Sequence, residues 1–291
     1  MNRIIVTGSL NYDIFVEAPR RPLKGETLTG YRWYPKFGGK GGNQAVSAAK
    51  CGSSVTMVGA VGKDDFGEAL INTLKSHNID ITYLQQQGKT GSGISVAIMD
   101  DEGDYGAVIV GGTNVTIDNT VLNEDKLWQN ASMLILQNEV SDETNYIAAR
   151  NAKNRNIKIC INAAPVKPMP DRLKELIDIL VVNEVEASSL CSVKVDSLSA
   201  AQQAAEELCR TFPTVVVTAG GNGVAFCTAS GDKGSVPAHK IKLISTHGAG
   251  DCFVGALCHK LCQGAGLKES VEFANLKAAE HVSTVHNDTL F

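Results

Sequence analysis

The 291 residues predict an α/β fold: a mostly parallel sheet with helices on both faces, and a small antiparallel sheet beside it. Three observations lead there. Short apolar runs rich in β-branched residues recur at 4–7, 55–59, 132–136, 158–162, 179–182 and 214–218. Segments of helical periodicity fall between them, at 44–51, 66–77, 143–154, 171–176, 184–191 and 200–210. Strands that are apolar on both faces and separated by helices pair in parallel and are covered on both sides, giving three α/β/α layers. Third, residues 28–37 and 93–110 break this rhythm. They alternate apolar and polar residues, carry turn signals such as Asp101-Glu102-Gly103-Asp104, and hold no helix. These segments, taken broadly as 14–37 and 91–112, are expected to form a lid over the carboxyl ends of the parallel strands, where open α/β sheets bind ligands. No linker or repeat divides the chain, so residues 1–291 read as one domain with that lid.

A chain of this length buries a large core. Its formal charge of −4 argues against nucleic acid or an anionic membrane surface as the main partner. No apolar run approaches the roughly 18 residues that cross a bilayer, and Ile4-Ile5-Val6-Thr7 reads as a buried strand, not as a secretory h-region. A cytoplasmic protein is expected. The eight cysteines agree, being scattered through apolar context without a CxxC pair. Cys258 and Cys262 lie four apart with His259 between them. A zinc site is the chemical alternative there; packing of small thiols in the core is the expectation.

The chemistry concentrates in two stretches. In the first, a strand-like run at Leu243-Ile244 ends in Ser245-Thr246-His247, followed by Gly248-Ala249-Gly250-Asp251. A helical face then begins with Phe253, Leu257 and Leu261, with Ala256 beside it. Three nearly bare residues at a helix start present their backbone N–H groups together, an anion hole strengthened by the helix dipole. A carboxylate on its rim would repel a resident phosphate. It suits a base that takes a proton from a hydroxyl while the amides hold a transferring phosphoryl group. The ordinary alternative is that Asp251 caps a helix, but a cap alone needs no such length of bare backbone.

The second stretch is Phe37-Gly38-Gly39-Lys40-Gly41-Gly42-Asn43-Gln44-Ala45. Its glycines let the backbone approach a ligand, and the helix beginning near Asn43 offers its N-terminus. It is neither a Walker A loop nor a dinucleotide fingerprint. Asn11 and Asp13 follow the first strand, at the favoured edge of the sheet. Amides and carboxylates converging there suit sugar hydroxyls, which both donate and accept.

These two stretches, with Gly52, Gly62 and Gly255-Ala256-Leu257, resemble the two signatures of the ribokinase-like (phosphofructokinase-B type) carbohydrate kinases. The resemblance continues through Leu136-Gln137-Asn138-Glu139, Asn162-Ala163-Ala164-Pro165, Asn183-Glu184-Val185-Glu186 and Val217-Thr218-Ala219-Gly220-Gly221-Asn222-Gly223, nearly the whole chain. It implies Asp251 as catalytic base and Gly248, Ala249 and Gly250 as the anion hole. It implies Asn11, Asp13, Gly39, Lys40, Asn43 and Glu139 as sugar ligands. Asn183, Thr218, Gly220 and Gly223 would bind nucleotide, and Glu186 would organise Mg²⁺, largely through water. Each has an ordinary alternative: Glu139 as neighbour of a helix cap, Asn183 as a cap, Glu186 as helix surface.

Within the family, the glycine stretch and the turn Pro22…Gly25-Glu26-Thr27 are most similar to the ribose-phosphorylating members. The resemblance thus implies an ATP-dependent kinase of the primary hydroxyl of a small sugar, D-ribose first, and a homodimer paired through the lid. Kinases of another furanose or ketose, or of a nucleoside, are the alternatives, followed by a non-catalytic sugar-binding regulator. A nucleoside kinase needs an apolar or aromatic wall for the base, and Ser95, Ala97, Ile98, Val108 and Ile109 of the lid offer little aromatic surface. Two departures stand out. Many members carry Asp six residues before the base, where it helps bind an activating monovalent cation; here the residue is Ser245. Residues 278–287 lack the glycine-rich turn that supplies further ligands, so K⁺ activation is not expected. His247 takes the place of a small residue beside the anion hole, to sense phosphate charge or to pack against nucleotide or solvent.

Overall fold

The computed structural model describes residues 3–102 and 104–284, so residues 285–287 of the C-terminal segment just discussed lie outside the described residues. The first half of the chain forms β1 (Arg3–Thr7), β2 (Asn11–Glu17), β3 (Arg32–Gly38), α1 (Lys40–Lys50), β4 (Ser54–Gly62), α2 (Asp65–Ser76), β5 (Leu84–Gln87), β6 (Gly93–Met99) and β7 (Tyr105–Val110). There follow α3 (Asp125–Trp128), β8 (Ala131–Gln137), α4 (Asp142–Lys153), β9 (Lys158–Asn162), α5 (Asp171–Lys174), β10 (Ile179–Asn183), α6 (Glu184–Leu190) and α7 (Leu198–Leu208). The last elements are β11 (Thr214–Thr218), β12 (Gly223–Thr228), β13 (Lys233–Pro237), α8 (Ala249–Cys262) and α9 (Leu267–Val282).

Nine strands make the main sheet in the order β13-β12-β11-β10-β9-β8-β1-β4-β5. From β11 to β5 all neighbours are parallel. Alternation along β1 shows the layering. Ile5 points into the core shared with α4 and α7, through Ala148, Ala152, Ala201 and Leu208. Ile4 and Val6 point the other way, into the core shared with α1 and α8 through Ala45, Ala48, Phe253 and Leu257. Each such side chain buried contributes about 1.5–3 kcal/mol, which holds the strand ends rigid. Cys258 and Cys262 belong to this second core, and the His259 ring meets Ser53 Oγ at 2.8 Å through Nδ1. Among the described residues no cluster of three or more His, Cys, Asp or Glu could hold a metal. Cys258 and Cys262 pack there as small apolar side chains.

The second sheet has the order β3-β2-β6-β7, with antiparallel outer pairs and a parallel β2–β6 pair at its centre. Tyr12 of β2 stacks on Phe66 of α2, ring centroids 4.3 Å apart, and ties this sheet to the main one. The face opposite Asp13 carries exposed apolar residues, including Trp33, Val108 and Val110, whereas the exposed Ile109 lies in register with Asp13 on the other face.

One sequence expectation needs correction. The run at Leu243-Ile244 is no strand. Both side chains are about half exposed, and the backbone N–H of Ile244 reaches Val282 O at the end of α9 instead of a sheet. The sheet beyond β11 is extended instead by the β12–β13 hairpin, in which β12 runs antiparallel to β11. Among the described residues no helix is long and apolar enough to cross a membrane.

Candidate active site

The strands adjacent in the sheet, β1, β8, β9, β10 and β11, deliver one residue set each at their carboxyl ends: Asn11 and Asp13 after β1, Gln137 and Glu139 at β8, Asn162 at β9, Asn183 at β10, Thr218 at β11. The two signature stretches meet over this edge. Gly255 is the reason they can. A Cβ there would come within 2.6 Å of Ser47 Cβ and 2.7 Å of α1 backbone, so only glycine lets α8 lie this close to α1. One turn before Gly255, Asp251 is buried, and its Oδ1 accepts from Gln44 Nε2 at 2.9 Å. Its Oδ2 accepts from Asn43 Nδ2 at 3.4 Å. Ser47 donates to Cys252 O at 2.8 Å, a further tie between the two helices. Gly248 is the N-cap of α8, and Ala249, Gly250 and Asp251 form its first turn, so the bare amides lie where the sequence expected an anion hole.

The other half of this pocket is the glycine turn. Gly39 caps α1 with φ +85°, and a Cβ there would meet Asn11 N at 2.7 Å and Leu10 Cα at 2.8 Å. The turn therefore sits directly on the start of β2. Glu139 holds it, accepting from Lys40 N at 2.9 Å and from the Ser9 hydroxyl. Glu139 is also a neighbour of the α4 cap, Ser141, but its carboxylate is committed to the glycine turn.

Alternate residues of β2, Asn11, Asp13 and Phe15, share one face. Asp13 is buried, and its Oδ1 has no hydrogen-bond partner in the protein. Burial, then the charges of Glu139 and Asp251, push its carboxyl up to about 7 against the opposing pull of Lys36. A buried acceptor without a donor is costly. His247 lies against the same face, Nε2 at 4.0 Å from Asp13 Oδ2 and its ring edge-on to Phe15 at 5.6 Å. It thus packs on the second sheet with its side chain still 44 % exposed to solvent. Phe15 stacks on Tyr34 at 5.4 Å, and Lys36 Nζ lies 5.2 and 5.6 Å from the two rings. An aromatic wall is therefore present, contrary to the sequence expectation, which looked only along β6 and β7.

Further along the edge, Asn183 and Glu186 form a capping box. Asn183 Oδ1 accepts from Val185 N and Glu186 N, and Glu186 Oε2 accepts from Asn183 N at 2.8 Å. The cap alternative for Asn183 is realised; the surface alternative for Glu186 is not, since it is 5 % exposed. Burial raises the Glu186 pKa, opposed by the Asn183 N–H and by Lys40 and reinforced by Asp251 and Glu184, so this carboxyl shares a field with Lys40 and Asp251. Asn183 pairs in register with Thr218, and Gly220 and Gly223 bracket the turn that follows β11. The candidate residues thus gather in two adjoining groups along one edge.

Sequence reasoning missed a second layer behind them. Gln137 donates to Gln44 Oε1 at 2.8 Å, and Gln44 also donates to Asn162 Oδ1 at 3.1 Å. Asn114 donates to Asn11 Oδ1 at 2.8 Å. Gln44, Gln137 and Asn162 stood within quoted motifs without a role; Asn114 carried no sequence signal.

The class this arrangement defines is a phosphotransferase of the α/β type acting on a hydroxyl. The chain belongs to the pfkB family of carbohydrate kinases, whose description, "pfkB family carbohydrate kinase", matches residues 1–288. It is 31 % identical to the ribokinase of Dictyostelium discoideum over 97 % of this chain and 95 % of that one. It is 32 % identical to the ribokinase of Bacillus subtilis, over 96 % and 92 %. The solved Arabidopsis thaliana ribokinase complexed with ribose and ATP superposes with a TM-score of 0.91 at 27 % identity, covering 99 % of this chain and 95 % of that one.

Proposed function

We propose that this protein transfers the γ-phosphoryl group of ATP to the primary hydroxyl of D-ribose, as a single kinase domain with the second sheet as its lid. The observation that carries the reading is the pairing of two buried carboxylates of unlike surroundings. Asp251 is held by side-chain amides beside a bare helix N-terminus, while Asp13 keeps a buried, unpartnered oxygen and its carboxyl is raised by burial and by the charges of Glu139 and Asp251. Asp13, Asn11, Asn43, Glu139 and the Gly39-Lys40 backbone orient the sugar. Asp251 then takes the hydroxyl proton as that oxygen attacks phosphorus and the bond to the β-phosphate oxygen breaks. The amides of Gly248, Ala249 and Gly250 hold the charge on the equatorial oxygens. In so loose a transition state, positioning contributes more than base strength.

The buried carboxyl of Glu186, with one oxygen already committed to Asn183, fits Mg²⁺ held mainly by water and nucleotide phosphates, not a protein cage. Bound there with the nucleotide, Mg²⁺ would neutralise phosphate charge. Asn183, Thr218, Gly220 and Gly223 would seat the nucleotide itself. The exposed apolar face of the second sheet supports a homodimer paired through it.

A nucleoside is the second reading, favoured by the Phe15–Tyr34 stack. It ranks lower because the Lys36 ammonium already lies against both rings. A phosphorylation assay with MgATP and ribose, fructose, tagatose, adenosine or pseudouridine, read by ³¹P NMR of the product, decides the matter. Ribose 5-phosphate as the fastest product fits the proposal; faster turnover of adenosine or pseudouridine overturns it.

A further inference from the structure

The loop that ends in the anion hole, residues 244–248, lacks regular secondary structure and is anchored by the last turn of α9. Val282 O accepts from Ile244 N at 2.8 Å and from Ser245 N at 3.2 Å. His281 Nε2 lies 2.9 Å from His247 O. A carbonyl only accepts, so Nε2 carries the proton and donates. Within the loop, His247 N donates to Ser245 Oγ at 3.2 Å, so both backbone groups of His247 are engaged. Gly248, the next residue, has φ +73°, and a Cβ placed on it would be 3.1 Å from His281 Nε2. The imidazole therefore rests directly against the N-cap of α8.

We propose that His281 is a positioning residue for phosphoryl transfer: its Nε2–H fixes the His247 carbonyl and, through the following peptide, aims the amides of Gly248, Ala249 and Gly250. The inference rests on the assignment of those amides as the anion hole. The physical reason is leverage. An amide dipole stabilises developing charge only when already aligned, and removal of one such donor costs about 100- to 1,000-fold in turnover. A loop without its own helix or sheet bonds does not hold that alignment; a ring wedged between its carbonyl and the helix cap does.

The test compares His281→Ala and His281→Gln with the parent protein, Gln keeping an N–H donor at a similar reach. In the Ala variant kcat should fall about 10- to 100-fold with the sugar KM within twofold, and Gln should recover most of it. Affinity for ADP, Mg²⁺, aluminium fluoride and ribose together, measured by calorimetry, should fall in parallel while affinity for ribose alone stays. Unchanged kcat in the Ala variant overturns the proposal. So does a loss that Gln leaves unrepaired, or one that tracks a lowered unfolding temperature and weaker ribose binding. The underlying site assignment is tested apart, by Asp251→Asn: an active Asp251→Asn enzyme sinks that assignment, whereas an inactive one beside a fully active His281→Ala sinks only this inference.

Discussion

Gln44 donates to Asp251 Oδ1 at 2.9 Å while its own carbonyl oxygen accepts from Gln137 at 2.8 Å. An amide has two unlike ends, so this relay has a direction. Gln137 fixes which way Gln44 faces, and Gln44 presents N–H, never C=O, to the carboxylate. All three residues are buried, which keeps water from competing for these bonds. The position of the proposed base is thus set by α1 and β8 as well as by its own helix.

Asp251→Asn should fold, bind sugar with little change and lose most of its turnover. The substitution keeps shape and a hydrogen-bonding head but removes the proton acceptor, an effect worth roughly 100- to 10,000-fold. Steady-state kinetics checks it; kcat within a few-fold of the parent would refute the assignment.

Asp13→Asn should weaken sugar binding at least about tenfold, since hydrogen bonds to a charged acceptor contribute about 1.5–3 kcal/mol. It should also change the pH dependence of stability. With a folded pKa of about 7 against an unfolded value of 3.8, only the folded chain keeps the proton between those pH values. Unfolding then releases it, and stability falls as pH rises through this window. The unfolding temperature of Asp13→Asn relative to the parent should therefore climb from pH 4 to pH 7 and then level off. A difference constant with pH across that range contradicts the argument.

Gly255→Val should push α8 away from α1, because its Cβ alone would lie 2.6–2.7 Å from Ser47 and α1 backbone. Overpacking of this kind costs about 1–3 kcal/mol. Chemical denaturation should show that loss, and kcat should drop further than the sugar KM rises, since the Gln44–Asp251 contact opens with the helix gap. An equally stable, equally active variant would show that the close approach is not needed.

Sedimentation should give a dimer at micromolar concentration, and Trp33→Glu with Val108→Glu should give a monomer. Both side chains are more than 60 % exposed on the second sheet. A parent protein that sediments as a monomer while fully active removes the lid-pairing proposal.

Turnover should be flat when KCl is titrated at constant ionic strength against a large organic cation, with saturating MgATP and ribose. Ser245 offers a neutral hydroxyl, already accepting from His247 N, where a carboxylate would draw a cation. Saturable activation of several-fold by K⁺ would contradict this.

What sequence alone determined here is the local backbone chemistry. The glycine turn at 38–42 and the bare amides at 248–250 act through conformations that neighbouring residues dictate, so their place at two helix starts was legible, as were the buried strands and most helices. Residues acting through long-range contact were not. Asn114 meets Asn11 across 103 positions, and Gln137 meets Gln44 across 93, with no local pattern to mark either. Phe15 and Tyr34 face each other only because β2 and β3 pair in one register. Leu243 and Ile244 carry strand-like composition yet lie in a loop, where the Ile244 backbone bonds to Val282 at the end of α9, a partner distant in sequence. Composition records a residue's preferences. Which partners satisfy them is decided only when the chain closes on itself.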